Sequence, residues 1–173
     1  NGLSGAQKGV SIVTQSSVNL LGINVINDNT EDGLYVSTTG AITASNLTAN
    51  GNDLGGAWLQ TNSKGSSITL TGVNTFTGNG FNGLQITSDG AVVLNNITAN
   101  SNANNGMGVN INNAFNVLGK PVTLAGTNIF SNNSSSGLMI VTYGVIVTNN
   151  LTANGNGSDG AYMENNGGSP VSN

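Results

Sequence analysis

Ionisable side chains that could do chemistry are few in this sequence. The 173 residues include seven Asp and Glu and three Lys, while His, Cys and Arg are absent. General acid and base catalysis needs two titrating groups in different environments within reach of one bond. Five of the seven acids instead fall in turns just before a recurring glycine. The sequence therefore predicts no catalytic residues and a protein that is not an enzyme.

Four of these turn acids could bind a metal ion instead. They lie in equivalent turns of neighbouring segments, and carboxylate oxygens are ligands that Ca²⁺ prefers. Turn acids also cap backbone groups or stay solvated, and no acidic nonapeptide recurs here. We expect no cofactor, with Ca²⁺ as the open alternative at Asp28, Glu31, Asp32 and Asp53.

Two motifs recur along the chain with one common spacing. Asn-Leu/Ile-Thr-Ala-Asn begins at 46, 96 and 150, and Gly-Leu begins at 33, 83 and 137, so both step by 50 and then 54 residues. A fixed period of this length indicates a solenoid built of repeats. We predict a single domain over 1–173, with repeats 2–55, 56–105 and 106–159, and with 160–173 starting a further coil.

Each repeat divides into two coils, because a glycine followed by alternating apolar residues occurs twice per repeat. These coil-start glycines are Gly2, Gly33, Gly56, Gly83, Gly106, Gly137 and Gly160. Between two alternating segments of every coil stands a Gly or an Asn, the residues that most readily accept positive φ. We predict left-handed corners at Gly22, Asn46, Gly72, Asn96, Gly126 and Asn150.

The alternation of apolar and polar residues predicts three short strands in each coil. Inward pairs include Leu34 and Val36, Met107 and Val109, and, after the corners, Ile23 and Val25. Such strands bury their inward faces only when successive coils stack. Since crossovers between parallel strands are nearly always right-handed, the expected fold is an all-β, right-handed parallel β-helix of about six coils.

At this point the sequence resembles known proteins. Asn-Ile-Phe-Ser-Asn-Asn leading into Ser-Gly-Leu-Met-Ile at 128–140, and the residues around Gly160-Ala161-Tyr162, resemble right-handed parallel β-helix repeats of the pectate-lyase type. The stretch 40–48 is similar to the repeats of filamentous-haemagglutinin-type adhesins. These resemblances imply the fold, which occurs in polysaccharide lyases and hydrolases, in phage tailspikes and in bacterial surface proteins.

An aromatic face is predicted on the strand after each coil-start glycine. Its outward positions carry Gln85 and Met139 together with three of the few aromatic residues of the chain. Such a face could stack on sugar rings or on another rod, or a loop such as 112–120 could cover it. The candidate surface for carbohydrate or for a partner is Tyr35, Trp58 and Tyr162.

A polar column is expected outside the rod, two residues past each corner. Regular Thr and Asn raise the alternative of ice binding, although cross-coil hydrogen bonds explain the column more simply. Its residues are Asn24, Thr48, Asn74, Thr98, Asn128 and Thr152.

Charge and repeat phase narrow the role and the partners. A net charge of −4 argues against nucleic acid as a partner, and no apolar run is long enough to predict membrane insertion. Gly2 and Gly160 share one phase, so we expect further repeats of the same chain or end-to-end self-association. We predict an extracellular, cell-surface structural or adhesive segment of a stalk, fibre or filament, and alternatively a carbohydrate-binding module that binds a surface polysaccharide; a polysaccharide lyase or hydrolase fits least.

Overall fold

The computed structural model describes residues 7–114 and 120–167 fully, and residues 171–172 by their backbone. Short extended segments recur throughout these ranges, because β-branched residues and Leu alternate with polar residues between Gly and Asn turns. In the described ranges, no helix has the length and apolar character needed to cross a membrane.

The strands form three parallel sheets, and each coil contributes one strand to every sheet. Sheet A contains β1 Val10–Thr14, β4 Leu34–Thr38, β7 Ala57–Thr61, β10 Leu84–Thr87, β13 Val109–Asn113, β16 Leu138–Thr142 and β19 Ala161–Asn165. Sheet B contains β2 Val18–Leu20, β5 Ile42–Ser45, β8 Ile68–Thr71, β11 Val92–Asn95, β14 Val122–Ala125, β17 Ile146–Thr148 and β20 Val171–Ser172. Sheet C contains β3 Asn24–Val25, β6 Leu47–Thr48, β9 Asn74–Thr75, β12 Ile97–Thr98, β15 Asn128–Ile129 and β18 Leu151–Thr152.

Each strand pairs in parallel with the equivalent strand of the next coil. Leu34, for example, lies opposite Val10 in the coil before and Ala57 in the coil after. Six coils, numbered 1 to 6 along the chain, stack in this way, and β19 and β20 begin a seventh. The predicted parallel β-helix with three strands per coil is therefore confirmed.

The core is a narrow column of apolar side chains inside the stack. On sheet A the side chains of Leu34, Leu59 and Ile86 are fully buried, and Ile68 and Leu94 are fully buried on sheet B. Because equivalent residues meet across neighbouring coils, each apolar side chain has an apolar neighbour above and below. Burial in this column depends on stacking, since one coil alone would leave its inward face in water.

The start of coil 5 differs from the sequence prediction. Val109 and Ile111, rather than Met107 and Val109, lie opposite Leu84 and Ile86 and point inward. The glycine before this strand is thus Gly108, and the boundary expected at 106 lies two residues later. Gly2 falls outside the described residues, and the glycine before β1 is Gly9.

The faces of sheet C differ from the prediction in every coil with a Gly corner. Ile23, Val25 and Val73 were expected inside but are exposed, while Asn74 is fully buried. The reason is coil length. Four residues separate the last inward residue of sheet B from the first inward residue of sheet C in Gly-corner coils, from Leu70 to Asn74, but only three in Asn-corner coils. One extra residue exchanges the two faces of a strand.

Candidate functional site: the outer face of sheet A and the ladders behind it

The polar column expected outside sheet C is not at the surface as a unit. Asn74 and Asn128 are buried, and each donates Nδ2 to two carbonyl oxygens at its corner, so they brace the turn from inside. This removes the basis for ice binding by the column as predicted. The outward positions carry one residue per strand, namely Val25, Thr48, Thr75, Thr98, Ile129 and Thr152.

The corner column has positive φ throughout. The angles are +84° at Gly22, +47° at Asn46, +73° at Gly72, +47° at Asn96, +73° at Gly126 and +46° at Asn150. Asn46 joins the coils on both sides, because its Nδ2 donates to the Gly22 carbonyl at 3.3 Å and its Oδ1 accepts from the Val73 amide at 3.2 Å. A Cβ at Gly72 would overlap Asn46 Oδ1, so Gly and Asn alternate along the column for reasons of space.

A second ladder, which the sequence reasoning missed, runs inside the turn from sheet C to sheet A. Asn79 illustrates its bonds: its amide and Nδ2 both donate to Asn102 Oδ1, at 3.0 and 3.1 Å, and Nδ2 also donates to the Ala49 carbonyl at 3.1 Å. The same links join every neighbouring pair of the asparagine ladder. Its members are Asn29, Asn52, Asn79, Asn102, Asn133 and Asn156.

A spacing in the sequence does signal this ladder. Five of its six members stand four residues before the coil-start glycine, as Asn79 stands before Gly83. Those glycines leave room for the ladder and for the next coil, because a Cβ at Gly83 would lie 2.7 Å from both Asn102 Nδ2 and the Gly108 carbonyl oxygen. The ladder and the glycines therefore form one packing unit at the edge of sheet A.

The outer face of sheet A is positioned by these elements. Tyr35 and Trp58 lie side by side in register, with ring centroids 5.4 Å apart at an angle of 79°. Tyr162 occupies the same outward column but lies four strands beyond Trp58, about 19 Å away at the usual strand spacing. The structure thus brings together Tyr35 and Trp58 and leaves Tyr162 apart.

Tyr162 has a local partner of its own. Its hydroxyl donates to Glu164 Oε2 at 3.0 Å on the exposed face of β19. This hydrogen bond, together with the negative charge of Glu164, raises the pKa of Tyr162 above its ordinary value. The residues 115–119 of the loop considered as a cover for the face lie outside the described residues.

Lys8 occupies the turn where calcium ligands were expected. Its Nζ lies 2.9 Å from Glu31 Oε2 and 3.8 Å from Asp32 Oδ2, and 5.6 Å from the centre of the Tyr35 ring. The hydrogen bond to Glu31 raises the pKa of Lys8. Across residues 7–114 and 120–167, no three acidic side chains are grouped closely enough to hold a metal ion, so Asp28, Glu31, Asp32 and Asp53 do not form the calcium site considered above.

A pocket of about 210 Å³ opens beside Trp58, between the outer face of sheet A and the turns that enter it. We call it the Trp58 pocket. Leu54 and Phe81, both partly exposed, form apolar walls with the indole, while Asp32 and Gln85 supply polar groups. Asn82 orders the rim, because its Nδ2 donates to Gln85 Oε1 at 3.1 Å and its Oδ1 accepts from the Met107 amide at 2.9 Å.

Sequence reasoning found Trp58 but not the other walls of this pocket. Leu54 and Phe81 are single apolar residues in turns rich in Asn and Gly, where they pack on no inward ladder. An isolated large apolar residue in such a turn is the available signal, and only the register of coils 3 and 4 shows that both face Trp58. Comparisons with protein-family models, with curated proteins and with solved structures found no match to this chain.

Proposed function

We propose that the chain is a non-catalytic structural and adhesive β-helix segment of an extracellular surface stalk, fibre or filament. The observation that carries the proposal is the continuous asparagine ladder. Buried amides whose hydrogen bonds are all directed to neighbouring coils hold a stack in one register. A rod braced in this way is suited to a passive mechanical role, and its resemblance to adhesin repeats and pectate-lyase-type repeats agrees with that role.

The charges of the rod support a non-catalytic role. A lysine that acts as a base needs a lowered pKa, so that it is neutral near the working pH. The pKa of Lys8 is raised by Glu31, which keeps the amine protonated. The one described cluster that contains an amine and two carboxylates is therefore an ion pair with the wrong protonation state for base catalysis.

The proposed partner is a further coil, from the same chain or from a second copy. At Gly22, unlike Gly72, no atom lies within 4 Å of an added Cβ, so the corner has room for an Asn such as Asn46 in a coil packed beneath it. Around it, Leu21, Ile23 and Val25 are exposed. An Asn-corner coil would cover these apolar side chains and satisfy the unpaired strand edge.

Sedimentation velocity over a range of concentrations, followed by electron microscopy, tests this proposal. End-to-end stacking should give rods that lengthen with concentration, and Ile23→Lys, which places a charge among the exposed apolar residues, should leave a stable monomer. Antibodies against the chain should label the surface of intact source cells. Wild-type rods that stay monomeric at every concentration would rule out self-assembly, and label confined to the cell interior would overturn the surface role.

A second candidate function is carbohydrate binding. The observation that favours it is the Tyr35 and Trp58 pair beside the Trp58 pocket, where aromatic rings and amide groups meet at the surface. Aromatic rings pack against the apolar faces of sugars, and amides bond their hydroxyls. The two functions are compatible, because an adhesive rod must contact a surface polymer.

A further inference from the structure

We propose that the Trp58 pocket is a subsite for one neutral pyranose unit of a glycan. This inference rests on the carbohydrate-binding function proposed above and assigns it to a location and a substrate class. The pocket lies on coils 3 and 4 and is built from β7, β10 and the turns before them. These elements are tied to the asparagine ladder, so the pocket is largely formed before any ligand arrives.

The size of the pocket limits the occupant. A cavity of about 210 Å³ is smaller than the roughly 300 Å³ at which sites for drug-sized molecules begin. An occupant with one ring fits, whereas a folded protein segment with several buried side chains does not. Because the pocket opens on the outer face of the rod, the neighbouring units of a chain-like ligand can leave it along sheet A.

The lining matches the two kinds of surface that a sugar presents. Trp58, Phe81 and Leu54 offer apolar walls to the C–H face of a ring. Gln85 accepts from Asn82 through Oε1, which orients its Nε2 amide as a donor, and Asp32 offers carboxylate oxygens as acceptors for hydroxyl groups. Asp32 is itself fixed, since its Oδ1 accepts from the Gly55 amide at 3.0 Å.

The charge of the pocket selects a neutral sugar. Asp32 is the one ionisable residue in the lining, and its partner Lys8 is shared with Glu31 at the shorter distance of 2.9 Å. A uronic acid would place its carboxylate near Asp32. Like charges about 4 Å apart in water oppose binding by roughly fivefold, and by more where water is excluded. The proposed ligand therefore differs from the acidic polymers that pectate lyases bind.

The fluorescence of Trp58, the single tryptophan of the chain, reports on this pocket directly. The protein is titrated with neutral gluco-, galacto- and manno-oligosaccharides and with a galacturonate oligosaccharide of equal length. We expect a saturable change with at least one neutral sugar and affinity for the uronate at least about fivefold weaker. Asp32→Asn should narrow that difference, while the Gly55 contact can be kept by the amide oxygen.

Variants of Phe81 separate the subsite from carbohydrate binding in general. Phe81→Ala removes an exposed wall and should weaken neutral-sugar binding about tenfold, Phe81→Tyr should restore it, and Val93→Ala, at an exposed apolar residue on sheet B, is the matched control. Isothermal calorimetry measures each affinity. Glycan binding that Phe81→Ala leaves unchanged would overturn the subsite and keep the function, whereas no binding across the panel would overturn both. Preference for the uronate would overturn the neutral assignment.

Discussion

At the scale of single residues, the corner column is decided by space as much as by backbone conformation. Positive φ admits both Gly and Asn, but a coil that follows an Asn-corner coil has no room for a Cβ at its own corner. Asn46 therefore requires Gly72 in the next coil, and Asn96 requires Gly126. The alternation visible in the sequence is a steric rule between neighbouring coils.

Alanine substitutions at two corner glycines should separate these causes. Gly22→Ala should cost about 1–2 kcal/mol, the usual cost of an L-residue in the left-handed region. Gly72→Ala should cost about 1–3 kcal/mol more, because its Cβ overlaps Asn46 Oδ1. Chemical denaturation measures both values. Adding Asn46→Gly to Gly72→Ala should remove the extra cost, and equal losses at the two glycines would contradict the steric rule.

At the scale of elements, the asparagine ladder joins turns that carry little apolar surface of their own. Asn102 accepts twice from Asn79 and donates to Asn133 Oδ1 and to the Phe76 carbonyl while almost fully buried. Each buried polar group left unpaired costs about 1–3 kcal/mol. The ladder therefore acts as a buried strut, in which the loss of one amide affects the two coils beside it.

Removing one ladder amide should accordingly be severe. We expect Asn102→Ala to lower the free energy of unfolding by about 2–5 kcal/mol, because it strands donors and acceptors in coils 3, 4 and 5. Hydrogen exchange should show faster exchange at the Asn79 amide, which loses its acceptor. Asn19→Ala, at an exposed outward position of β2, is the control and should change stability by less than about 0.5 kcal/mol. A loss at Asn102 no larger than at Asn19 would contradict this role.

The elements themselves were largely predictable, and the polar interior was not. Period-two alternation located the strands of sheets A and B, and the Gly or Asn between segments located the corners. The prediction was wrong at Val73 and Asn74, because it assumed equal corner lengths and one added residue reverses the faces. The ladder escaped notice because buried amides run against the expectation that Asn is exposed, and only the register of neighbouring coils shows that each one is paired.

The candidate site was predictable only in part, for a similar reason. Tyr35 and Trp58 share the strand position after the coil-start glycine, which alternation alone identifies. Tyr162 shares that position too, but its separation from them depends on how many coils lie between. Phe81 and Leu54 belong to turns, whose path no periodicity predicts, so the pocket walls could be found only in the folded chain.

At the scale of the whole molecule, the steric rule makes a pair of coils the unit of construction. Deleting 33–82 removes one Asn-corner and one Gly-corner coil and leaves the alternation intact. Deleting 56–82 removes only the coil of Gly72 and places the corner of Asn96 directly on Asn46. The second variant is longer and has more coils, yet it breaks the stacking rule.

We therefore expect the 33–82 deletion to unfold at a higher temperature than the 56–82 deletion, as measured by circular dichroism. Adding Asn46→Gly to the 56–82 deletion should recover most of the difference, since it removes the overlapping side chain. If the single-coil deletion proved the more stable variant, rod length rather than corner alternation would set stability.

The asparagine ladder also gives the rod an electrical direction. Every carboxamide along it accepts from the coil before and donates to the coil after, so that the side-chain dipoles point the same way from Asn29 to Asn156. Parallel sheets have small net dipoles of their own, and the ladder therefore supplies most of the axial polarity. Rods placed end to end would lower their electrostatic energy by aligning head to tail, and an external electric field should orient them along the same axis.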